Sequence, residues 1–77
     1  MRTFEMAGPV LTAWMEERGL SAAELSRRIS VDAGILRKIM TGREKNISTR
    51  NLMALAKYFD MSMQELIDAL SGVPERK

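Results

Sequence analysis

The sequence predicts an all-α fold of five short helices, and three observations carry the prediction. Apolar residues recur at three- and four-residue spacing in five separate stretches. Two Ser-x-x-Glu pairs, Ser21 with Glu24 and Ser62 with Glu65, are capping-box patterns that mark helix starts. No stretch alternates apolar and polar residues for long enough to argue for a strand, and the fragment at Ile47–Arg50 reads as an extended loop.

Taken in order, the first helix is expected to begin with Pro9 at its first position behind Gly8. It carries Val10, Leu11, Trp14 and Met15 on one side and ends at Gly19. A second starts at Ser21 and has room for little more than two turns, with Leu25 and Ile29 four apart on its inner face. Ser30 and Val31 break that pattern. Asp32 then caps a third helix, about 32–41, whose Leu36, Ile39 and Met40 form a buried stripe before Gly42 stops it. Ser48 or Thr49 opens a fourth with Leu52, Leu55, Ala56 and Phe59 inward. The second capping box opens a fifth with Met63, Leu66, Ile67 and Leu70.

The second and third helices are too short, and too closely joined, to do anything but cross steeply. Spacing alone leaves two readings open: an αα-corner within any small bundle, or a helix-turn-helix in which the later helix reads DNA.

The stretch Val10–Leu70 resembles the Cro/C1-type (XRE-like) helix-turn-helix regulators of bacteria and their phages. The resemblance rests on ERGLS closing the first helix, SAAELS opening the second, and ISVDAGILRKIMTG as turn and recognition helix. STRNLMALAKYFDMS and MQELIDAL complete it as the last two helices. It implies a five-helix, lambda-repressor-like DNA-binding domain. Three positions depart from the family's habit: Ala22 stands where a Gln commonly reaches DNA, Ser26 where a small Ala is usual, and Ser30 where the turn often has Gly. The missing Gln removes one expected contact.

Composition narrows the function. The 77 residues are expected to form one domain over 1–77, with a core of about 8–71 and short tails at Met1–Ala7 and Gly72–Lys77. A chain this small buries only about 60% of its unfolded surface, so stability margins are thin and dimerisation would add to them. With no Cys and no His, disulfides, thiolate zinc sites and the commonest general base are excluded. No cofactor motif, metal-ligand set or nucleophile with a base is present, so an enzyme is not expected. No apolar run approaches the ~18 residues of a membrane span, which with the cysteine-free composition points to a cytoplasmic protein without membrane contact.

The modest net charge of +2 conceals a segregation. Residues 27–57 hold eight basic side chains against two acidic ones, a net +6, whereas the rest of the chain is net −4. Positive charge therefore collects on the expected recognition helix and the loop behind it, where a phosphate backbone would lie. On that helix Asp32, Ala33, Gly34, Ile35 and Arg37 are the expected base readers. Arg37 is foremost, because its guanidinium can fork to guanine O6 and N7. Ala33 and Ile35 suit thymine methyl groups, Gly34 admits close backbone approach, and Asp32 caps the helix first and accepts from a cytosine amine only second. Ser21, Lys38, Arg43, Lys45, Asn46, Ser48, Thr49 and Arg50 are assigned to phosphates. Replacing Arg43, Lys45 and Arg50 together should then flatten the dependence of log affinity on log salt by nearly three units, at about 0.9 per contact.

These readings favour a sequence-specific transcriptional regulator, a repressor, that binds double-stranded DNA at a two-fold site as a homodimer, with Met61, Ile67 and Val73 near the dimer contact. An antitoxin-like or accessory module of the same fold, whose main partner is a protein, stays open because Asp32–Ile35 is weakly polar. A scaffold that has lost DNA binding is a third reading.

Overall fold

The computed structural model describes residues 4–72. Within them lie α1 (Ala7–Glu17), α2 (Ala22–Ile29), α3 (Ala33–Met40), α4 (Thr49–Tyr58) and α5 (Met63–Ser71). Among the described residues there is no strand; Asn46 forms an isolated bridge in the extended stretch ahead of α4.

The capping signals act as the sequence requires. In α2 the Ser21 hydroxyl accepts from the Glu24 N–H at 3.1 Å while the Glu24 carboxylate accepts from the Ser21 N–H at 3.0 Å. The same reciprocal pair joins Ser62 and Glu65 at the start of α5. Ser48, rather than Thr49, caps α4, accepting from the Asn51 N–H.

The N-terminus departs from expectation. Helix α1 begins at Ala7, two residues before Pro9, and its cap residue Met6 offers no side-chain hydrogen bond. Nor is Met1–Ala7 a tail as far as it is described: Phe4 and Ala7 are each only 1% exposed. The reason is periodicity. Phe4, Ala7, Leu11 and Met15 follow one helical face, and all four point into the core. The Phe4 N–H donates to the Lys45 carbonyl and the Met6 N–H to that of Leu70, which fixes the segment against the rest of the bundle.

Helix α1 packs on α3 and α5, α2 on α3 and α4, and α4 on α5. At the centre Leu25, Leu36, Ile39, Leu55, Leu66 and Leu70 are almost wholly removed from water. Val10, Trp14, Ile29, Met40, Met63 and Ile67 pack against them but remain partly accessible. Trp14 stacks at a tilt on Phe59 with ring centres 5.2 Å apart, and the Arg18 guanidinium lies 4.8 Å from the centre of the same ring. Gly8 lets α1 approach the end of α3. A β-carbon there would stand 3.0 Å from the Met40 carbonyl oxygen and 3.1 Å from that of Ile39.

Candidate nucleic-acid interface

The turn between α2 and α3 consists of Ser30, Val31 and Asp32, and each has a distinct task. Ser30 adopts the left-handed conformation with φ 59°, and its N–H closes α2 on the Ser26 carbonyl. This conformation is costly for any residue with a β-carbon and easy for glycine. Val31 is buried and anchors the turn. Asp32 uses one carboxylate oxygen to accept from the Gly34 and Ile35 N–H groups, at 2.6 and 3.3 Å. With so few residues between them, the two helices are held at a fixed crossing.

Helix α3 is thereby divided between two environments. Leu36 and Ile39 are sunk in the core, while Asp32, Ile35, Arg37 and Lys38 are exposed and Ala33 and Gly34 are half-buried. Asp32 is engaged as a cap, and a β-carbon on Gly34 would lie 2.9 Å from its carboxylate oxygen, so Gly34 leaves room for that cap. Of the expected base readers, Ile35 and Arg37 therefore stand most open.

Behind α3 the chain folds back on itself. Thr41 donates its hydroxyl to the Arg37 carbonyl, the Gly42 N–H reaches Ile39, and the Glu44 N–H reaches Lys38, which satisfies the carbonyls left at the helix end. The fold-back brings Ile35 and Lys38 of α3 beside Asn46, Ser48 and Asn51, which with Glu44 line one groove. Asn51 was not expected there; its position one turn into α4, three residues from the Ser48 cap, is the signal that could have placed it. Arg43, Thr49 and Arg50 are exposed. Among the described residues, Arg37, Lys38, Arg43 and Arg50 have no hydrogen-bond or ion-pair partner for their cationic groups.

Lys45 differs. Its ammonium lies 2.9 Å from the Glu5 carboxylate, and it lines the groove between α1 and the end of α3, which adjoins the first groove at Glu44. Ser21 is exposed at the start of α2; its oxygen accepts within the capping box while its proton remains available to a phosphate. Ala22, at the position of the missing Gln, is buried. Arg28 donates to the Tyr58 hydroxyl at 3.2 Å, linking the ends of α2 and α4.

A family model of the Cro/C1-type HTH DNA-binding domain matches residues 10–70. The chain is a member of that family. No curated protein and no solved structure matches it. In this Cro/C1-type domain the three-residue turn, the capped α3 and the loop behind it all lie within the matched span. The matched span begins at Val10, after the Phe4–Pro9 segment. Among the described residues no helix of the Cro/C1-type domain is long and apolar enough to cross a membrane.

Proposed function

We propose that this domain is a sequence-specific DNA-binding regulator, a repressor, that seats α3 in the major groove. One observation carries the reading: Arg37 and Lys38, without a partner for their cationic groups among the described residues, stand on the open side of a helix whose other side is locked by Leu36 and Ile39. Such a helix presents a rigid edge to a groove, with Arg37 placed to fork onto a guanine and Ile35 to touch a thymine methyl. Asp32 contributes through its cap, and Ala33 and Gly34 through close approach. Lys38, Arg43, Arg50, Asn46, Ser48, Thr49 and Ser21 hold phosphates.

One such domain covers a half-site, so a homodimer on a two-fold operator follows. Met61 and Ile67 are half-buried against the core and leave part of their surface beside α5 for this contact; Val73 lies outside the described residues.

Selection of bound duplexes from a random pool, followed by titration of the winner across a salt series, tests the reading. A regulator gives a large ratio of specific to random binding, and Arg37→Ala reduces that ratio by about 1 to 3 kcal/mol at one base position. Replacing Arg43 and Arg50 together flattens the salt slope by about 1.8 units. Equal affinity for selected and random duplexes would leave the accessory-module reading, and no salt-dependent binding would leave the scaffold. Sedimentation that finds a monomer with and without operator removes the dimer.

A further inference from the structure

We propose that Glu5 is a built-in rival of the DNA backbone for Lys45, held in place by the segment Phe4–Met6. The inference rests on the DNA-binding reading above and adds to it a residue that tunes how tightly the domain grips phosphate.

The segment is pinned on both sides of Glu5. On one side the Phe4 ring is buried and the Phe4 N–H donates to the Lys45 carbonyl at 2.8 Å. On the other, the Met6 N–H donates to the Leu70 carbonyl at 2.9 Å, and the Met6 side chain fills the space beside Gly72, its Cγ 2.6 Å from where a β-carbon would stand. Glu5 therefore has little freedom in where its backbone sits. Its carboxylate meets the Lys45 ammonium at 2.9 Å, while 64% of its own side chain and 48% of the lysine's remain in water.

The chemistry of exchange follows from those values. A solvated lysine–carboxylate pair is weak. A phosphate oxygen is the same kind of acceptor, a compact anion for which an ammonium serves as a point charge. Lys45 belongs to the loop that follows α3, whose other cation, Arg43, has no partner among the described residues. Docked DNA thus meets one cation already claimed. With Glu5 held beside it, Lys45 remains with the carboxylate and makes no phosphate contact, which lowers both the affinity and the number of counterions released. Glu5 lies ahead of the matched span 10–70, whereas Lys45 lies within it.

The experiment is a salt series on the selected duplex with the full chain and four variants: Glu5→Gln, Lys45→Ala, the two combined, and Glu17→Gln. The last makes the same change in net charge at the far end of α1. Glu5→Gln is expected to bind about two- to fivefold tighter near about 0.1 M salt, and to steepen the slope by up to about 0.9. Lys45→Ala in the wild-type background should move the slope little, and should abolish the gain when combined with Glu5→Gln. Glu17→Gln should do neither. The proposal is overturned if Glu5→Gln binds like wild type, if Glu17→Gln tightens binding as much, or if Lys45→Ala alone flattens the slope by about 0.9. Glu5→Ala should repeat the gain, so that a folding defect in one variant does not decide the matter. Normal wild-type binding with no Glu5 effect sinks this inference alone, whereas a wild type that binds no duplex in a salt-dependent way sinks the DNA-binding reading with it.

Discussion

The two connections that flank α3 are built on opposite principles. The turn before it is held by its own residues: Ser30 bends the chain, Val31 plugs the core and Asp32 caps the next helix, all within three positions. The loop behind it, 41–48, has local bonds at its two ends, from Thr41, Gly42 and Glu44 onto α3 and from the start of α4 onto Ser48. Between them it depends on distant chain, through Phe4, Glu5 and their contacts with Lys45. The short turn fixes the angle of α3 without help, whereas the longer loop needs a brace because closing and ordering it costs conformational entropy that local contacts do not offset. The division suits the proposed function. A reading helix needs one orientation, while a phosphate-gripping loop can be adjusted by residues outside the motif.

The largest expected effect tests the brace. Phe4→Ala should cost about 3 to 5 kcal/mol of unfolding free energy in urea titration, the range for a fully buried aromatic. A cost near zero would mean that Phe4 is a dispensable tail residue and that the loop stands alone. A smaller effect, of opposite sign, tests the turn. Ser30→Gly relieves a left-handed conformation imposed on a side chain and should stabilise the domain by roughly 1 kcal/mol. A loss of stability there would show that distant packing, rather than the turn itself, holds Ser30.

The smallest effect lies at the start of α2. The Glu24 carboxyl is held below its ordinary value of 4.5, chiefly by the hydrogen bond from the Ser21 backbone N–H and next by its bond with the Ser21 hydroxyl; burial opposes them, and Arg28 and Arg27 add smaller lowering effects. Because folding lowers this pKa, its contribution to stability is present above the unfolded-state value and disappears as pH falls through the lower folded value, in the window below 4.5. Urea midpoints from about pH 6 to about pH 3 should therefore converge for wild type and Glu24→Gln as the solution becomes more acid. A constant gap across that range would remove the carboxylate from the explanation.

What was legible in the sequence tracks this contrast. Both capping boxes, the Asp32 cap and the inward turn of Leu36 and Ile39 follow from residues within four positions of one another, and all are found. Pro9 suits the first helical position, but α1 begins at Ala7, in step with the Phe4, Ala7, Leu11, Met15 spacing. Among the site residues, the exposure of Ile35, Arg37 and Lys38 could be read from helical period alone. The pairing of Lys45 with Glu5 could not, since forty positions separate them and a surface lysine has no periodicity that names its partner.

By itself, then, the sequence determined the five helices, the caps of α2, α3 and α5, the short turn at Ser30–Asp32 and the burial of Leu36 and Ile39 in α3. These depend on backbone hydrogen bonds and apolar spacing within one or two turns. Only the tertiary structure decided that Phe4 belongs to the core, that Gly8 must admit the carbonyl end of α3, and that Glu5 faces Lys45. Those outcomes arise where segments distant along the chain compete for the same few ångströms, and close packing selects which atoms meet.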